Sequence, residues 1–175
     1  MRLLIPALLA LTFVGCSCQR QAQTDAQRDA AIASTAQPTT AAGPTAAELR
    51  AQALQRKRDE GNSEAVNALH SYLQKLGSGK LEEAGQHWAY QRQPRGNEES
   101  DLRTLKNLRG VRIENQSPKA MDQEPVPESL EIPVELRVTL ENGEGRRYKG
   151  WYRMRRNSVD RHWELIATSM SVELK

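Results

Sequence analysis

The order of apolar and polar positions divides the chain into four stretches. Residues 3 to 14 are almost continuously apolar, with only Pro6 and Thr12 interrupting, and Arg2 precedes them. Residues 19 to 44 carry almost no aliphatic side chain beyond Ile32; Gln, Ala, Thr and Ser dominate, with Pro38 and Pro44. Such a stretch cannot bury enough surface to offset its ordering entropy, which predicts a disordered tether. As a coil its ~26 residues span roughly 25–31 Å on average. Thr45-Ala-Ala-Glu48 is a capping-box signature and predicts a lead-in helix over 45–62, mostly solvated and ended or kinked at Gly61-Asn62. A folded domain is expected over 63–175.

Within that domain the periodicity changes once. Val66, Leu69, Leu73 and Leu76 recur at helical spacing with Tyr72 beside them, and Gly77-Ser78-Gly79 stops the run. Leu81, Ala84 and Trp88 predict a second, shorter helix. Leu102, Leu105 and Leu108 predict a third, capped by Gly110. After Gly110 the pattern is that of strands. Val111 and Ile113 mark a short one, and the residues from 117 to 128 hold three prolines and read as a loop. From 130 to 141, Leu130, Ile132, Val134, Leu136, Val138 and Leu140 alternate with Glu131, Pro133, Glu135, Arg137, Thr139 and Glu141, so one face is core and the other meets water. Turns at Asn142-Gly143 and Asn157-Ser158 separate two further strands. The expected class is α+β, three N-terminal helices on a curved, mostly antiparallel four-stranded sheet, preceded by a signal peptide and tether.

Placing Leu140 and Tyr148 on the core face predicts a register that pairs Glu141 with Arg147, Arg137 with Trp151 and Glu135 with Arg153. The next hairpin then pairs Tyr152 with Leu165 and Met154 with Trp163 inside, and Arg153 with Glu164 outside. Beyond Ser169 the apolar phase moves to Met170, Val172 and Leu174, which predicts a bulge there. No carboxylate falls inside the sheet in this register. Pro133 marks its strand as an edge or a bulge site.

Composition refines this picture in two ways. The 25 basic and 22 acidic side chains leave a net charge of +3, too slight a surplus to argue for nucleic acid. Both cysteines, Cys16 and Cys18, precede the tether, so the domain is expected to hold together by packing and to host no thiol or cysteine–zinc chemistry.

Residues 1–15 have the charged start and apolar stretch of a signal peptide, too short for a spanning helix, which needs ~20 apolar residues. Phe13-Val14-Gly15-Cys16 resembles the lipobox of bacterial lipoproteins, with Phe13 where Leu is usual. That resemblance implies cleavage before Cys16, its acylation with palmitate-type chains, and, because Ser17 rather than Asp follows, residence on the periplasmic face of the outer membrane. Acyl chains on Cys16 would make a stable anchor.

The layout from 63 to 175, with a closing Arg161-His162-Trp163-Glu164-Leu165-Ile166-Ala167, resembles the nuclear transport factor 2-like family, a cone-shaped fold. This implies an interior that isomerase members line with a tyrosine and one or two carboxyl groups. Here the lining aromatics are expected to be Tyr72, Trp88, Tyr148, Tyr152 and Trp163. The resemblance does not fix function, because that fold hosts enzymes and binding proteins alike.

No catalytic motif is evident. His70, His87 and His162 share no metal-ligand spacing, and no nucleophile elbow, phosphate loop or cofactor motif occurs. The most unusual feature is the outer stripe Arg147, Lys149, Trp151, Arg153 and Arg155 on one strand. Two readings stand: a surface for an anionic lipid, cell-wall polymer or envelope protein, or a solvated face paired with Glu131, Glu135, Glu141 and Glu164. The expected function is a membrane-anchored, non-enzymatic binding module, with an immunity-type lipoprotein as one variant and a homodimer through the sheet as a further option. The alternative is a small-ligand-binding or isomerase-like domain using the cone.

Overall fold

The computed structural model describes residues 43–92, 94, 98–106 and 108–173. The expected signal peptide, Cys16 and the expected tether up to residue 42 lie outside the described residues. The element order is α1 (Ala46–Gly77), α2 (Leu81–Gly85), β1 (Leu108–Asn115), β2 (Lys119–Ala120), β3 (Ser129–Leu140), β4 (Gly145–Arg156) and β5 (Trp163–Glu173). The strands form one antiparallel sheet in the order β1-β3-β4-β5, with β2 also pairing β3. The class is α+β, one long helix packed on an open sheet. No described helix is long and apolar enough to cross a membrane.

The capping box forms as its sequence predicts. Glu48 N donates to Thr45 Oγ1 at 3.2 Å, and Thr45 N donates to Glu48 Oε2 at 2.6 Å. The break expected at Gly61-Asn62 does not occur, and the lead-in and first domain helices are a single α1. A mid-helix glycine costs about 1 kcal/mol, but Gly61 is buried, and a Cβ there would meet Arg156 Nη2 at 3.2 Å. Arg156 lies across this point and pairs with Glu64 at 2.6 Å, so the missing side chain makes room for a helix-to-sheet tie. Ala65, Leu69, Tyr72, Leu73 and Leu76 then bury one face of α1, each large side chain contributing roughly 1.5–3 kcal/mol.

The third predicted helix is absent. Leu102–Thr104 make only one 3-10 turn, Leu105 is already extended (φ −60, ψ 127), and β1 starts at Leu108. Spacing by three served a single turn and then a strand. Second, the β3–β4 register is shifted from the expected one. The tight turn at Asn142-Gly143, where Gly143 has φ 86, pairs Leu136 with Tyr148, Glu135 with Lys149, Arg137 with Arg147 and Glu131 with Arg153. The slip is four residues, an even number, so every side chain keeps its expected face. In the β4–β5 hairpin Met154 faces Leu165, Arg155 faces Glu164 and Tyr152 faces Thr168, replacing the expected pairs. The bulge falls between these, at Ile166 rather than beyond Ser169.

Pro133 sits in the middle of the sheet without breaking it. Its carbonyl accepts from Gln116 N at 3.0 Å, so its missing N–H lies on the same side, in the gap where β1 has ended and β2 has not begun. The proline is on a local edge of an interior strand.

Gly150 marks the closest backbone approach. A Cβ there would stand 1.9 Å from Ser169 O and 2.9 Å from Met170 Cα. Because backbone cannot swing aside as a side chain can, Gly150→Ala should destabilise the domain by about 1–3 kcal/mol or more. Urea denaturation of the two proteins checks this; an unchanged midpoint would contradict the packing described.

Candidate functional site

The loop between α2 and β1 supplies the acidic run Glu98-Glu99-Ser100-Asp101, and two of its carboxylates are hydrogen-bonded to tyrosines of the core. Tyr72 of α1 and Tyr152 of β4 both donate to Glu99 Oε1, at 2.5 and 2.9 Å. Tyr148 of β4 donates to Asp101 Oδ1 at 2.7 Å, and Arg146 holds Oδ2 at 2.7 Å. Arg103, one turn beyond Glu99, places Nη1 3.1 Å from Tyr72 Oη and 3.7 Å from Glu99 Oε2. The run is held at its start too: Glu98 O accepts from Met170 N at 2.8 Å, and the Glu98 carboxylate pairs with Arg92 at 3.3 Å. Ser100 adopts φ 52, the left-handed region, between the two docked acids.

This corrects the expectation that no carboxylate lies inside. Glu99 is only 2 % exposed. The sheet does turn its carboxylates outward, as its alternation requires; the inward one comes from the loop. Burial pushes the Glu99 carboxyl above its ordinary value, against the tyrosine hydrogen bonds and Arg103, which lower it. Burial, and then the adjacent Glu99, raises Tyr72 well beyond a normal phenol, and Tyr152 moves the same way for the same reasons. Burial and its bond to Asp101 push Tyr148 up to about 12. Glu99 Oε2 is buried and accepts no hydrogen bond.

All five aromatics expected to line a pocket are buried, Tyr72, Tyr148 and Tyr152 at 0 % exposure. Tyr72 is the hub, in edge contact with Trp88 (6.1 Å between centroids), Tyr152 (5.8 Å) and His87 (6.2 Å). Trp163 belongs to the same buried cluster and lies under the Arg156 guanidinium at 4.8 Å. His87 is lowered by burial and by Lys75, whose Nζ is 3.1 Å from Nε2. His70 bonds Asn115, and His162 sits against Asp160 in the last turn. No group of three or more His, Cys, Asp or Glu side chains among the described residues could hold a metal ion.

The outer stripe is brought together as the alternation requires, and most of its cations have partners. Arg147 reaches Glu135 and Glu173 at 3.6 and 3.7 Å, Arg153 reaches Glu131 at 3.0 Å, and Arg155 reaches Glu164 at 3.4 Å. Lys149 has no ion pair among the described residues. Glu141 is not a partner. Two aromatics lie under the arginines: Trp151 at 4.3 Å from the Arg153 guanidinium, and Tyr90 at 5.0 Å from that of Arg155. Tyr90 is 88 % exposed and, with Gln91, holds a left-handed backbone (φ 57 and 52). Nothing in the helix pattern around Trp88 pointed to Tyr90, because its place on the outer face comes from that backbone reversal.

Family models, curated proteins and solved structures were each compared with the chain, and none matches it.

The buried acid makes a test with a definite sign. Because the folded-state carboxyl lies above the unfolded value near 4.5, its contribution to stability is complete below that pH and is lost as pH rises through the folded value. Glu99→Gln keeps an acceptor for both tyrosines and removes the charge. Its denaturation midpoint, relative to wild type, should therefore rise between pH 4.5 and pH 7.5. Glu99→Ala removes the carboxylate acceptor of two buried hydroxyls and should cost about 1–3 kcal/mol at either pH. Parallel pH profiles for the wild type and the Gln variant would refute a buried titrating carboxyl.

Proposed function

We propose that this chain is an envelope lipoprotein, acylated on Cys16, whose domain works by binding a protein partner through the outer face of β3, β4 and β5. The lipobox-like run to Cys16 supplies the anchor, the tether supplies reach, and Ser17 favours the outer membrane. The observation that carries the reading is the aromatic–arginine row on that face. Tyr90 is displayed on a backbone that non-glycine residues rarely adopt, and such strain concentrates where function maintains it. Tyrosine, tryptophan and arginine are also the residues that contact surfaces enrich.

Charge selects the partner class. With Arg147, Arg153 and Arg155 each facing a carboxylate, the face is a mixed-charge ladder rather than a polycation. A protein strip of alternating charge complements it better than an anionic lipid surface or wall polymer, whose binding depends on unbalanced positive charge. A second copy of the chain, paired through the sheet, and an immunity-type target are both members of that class.

Two arms test the proposal. Cells fed an alkyne palmitate analogue should label the wild type and not Cys16→Ser; an unlabelled wild type would remove the anchor. For the surface, Tyr90→Ser and Lys149→Glu are preferable to charge reversal at Arg155, which would strand the nearly buried Glu164. Cross-linking in intact envelopes should capture a protein with the wild type and lose it, at least severalfold, with the double variant. Identical capture by both would reject this face.

A further inference from the structure

Where α1 ends, the surface opens into a cleft of about 690 Å³. The chain turns there through Ser78 and Gly79 (φ 73) into α2. Leu76, Leu81, Leu105 and Leu108 form apolar walls, and Arg103 and Lys106 supply the charged groups. No carboxylate is among the described residues lining it. The cleft exists because the segment after Thr104 is extended. A helix there would have turned Leu105 and Leu108 into a helix–helix contact; instead both are only partly buried, and Leu81 opposite them is 40 % exposed.

The inner end of the cleft is not inert. Arg103 lines it and, from the same position, touches Tyr72 Oη and faces Glu99 Oε2, the buried acceptor that no hydrogen bond satisfies. Lys106 stands exposed at the rim. A mostly apolar concavity of this size with a few convergent polar groups has the make-up of a small-molecule site. Its charges are of one sign.

We propose that this cleft binds a small amphipathic monoanion, a medium-chain carboxylate, with the alkyl chain along the four leucines and the carboxylate between Lys106 and Arg103. The site shares no residue with the outer sheet face, so the two readings fail separately. Neither needs the other.

Decanoate is a suitable probe, titrated into the full chain carrying Cys16→Ser and followed by the NMR shifts of Leu76, Leu81, Leu105 and Leu108. Saturable shifts confined to these leucines and their neighbours are expected. Decanol and decyltrimethylammonium should bind about two- to fivefold more weakly, the range of one exposed ion pair. Lys106→Glu and Leu81→Asp, both at exposed positions that leave the core intact, should each weaken decanoate by a similar factor. Arg103 is avoided because it also holds Tyr72. No saturable shift at the cleft, equal binding of the alcohol or the cationic amphiphile, or indifference to both substitutions would overturn the assignment.

Discussion

The rest of this fold depends on the need to pair three tyrosine hydroxyls that the packing carries out of water. Tyr72 arrives on the helix and Tyr148 and Tyr152 on the central strand, and a buried hydroxyl without a partner costs about 1–3 kcal/mol. The sheet has no inward carboxylate to offer, because alternation sends its acids to the outer face, and only the Thr168 hydroxyl lies inside opposite Tyr152. Glu99 and Asp101 meet the need from the loop. They are two residues apart, which on an α-helix would put them on nearly opposite faces. Both can reach the same layer of tyrosines only if the backbone between them is not helical, and Ser100 accordingly takes a positive φ. The loss of the third helix, the extended leucines after it and the cleft they leave all follow from that requirement.

The outer face obeys a different rule, one of pairing along strands. The hairpin register slipped by four residues from the expected one, yet the charged and apolar faces were unchanged, since the side-chain period is two. What changed was the identity of each ion pair. Arg153 found Glu131 rather than Glu164, and Arg155 took Glu164 because the bulge at Ile166 altered the phase of β5. Each such exposed pair contributes little to stability. Their larger effect is to neutralise a stripe that looks strongly basic when β4 is read alone.

Much of this was legible in the sequence. The alternation of 130 to 140 sets β3 and its buried face, the capping box sets the start of α1, and the five aromatics fall in the core. Gly61 misled because the glycine serves Arg156, a residue almost a hundred positions away, and no local signal carries that information. The Leu102, Leu105, Leu108 spacing misled because three positions cannot outweigh a tertiary demand on the residues before them. The acidic run had a readable cue. Three core-facing tyrosines with no inward carboxylate in the sheet imply one elsewhere, and three acids within four residues of a single loop are the place to look.

The same cluster bears on the choice between binding and catalysis. A buried carboxylate beside a tyrosine is a pair that proton-transfer chemistry can use, and Glu99 with Tyr72 and Tyr152 supplies both groups. Their arrangement favours another role. The two hydroxyls converge on a single oxygen of Glu99, and burial and the neighbouring carboxyl raise both tyrosines, so each is held protonated as a donor to the loop. Loosening the cluster to admit a ligand would also release the strap that closes the core. With those interior groups engaged in holding one loop, the binding proposed for this domain rests on exposed groups, the aromatic–arginine row of the sheet and the cationic cleft beside α1.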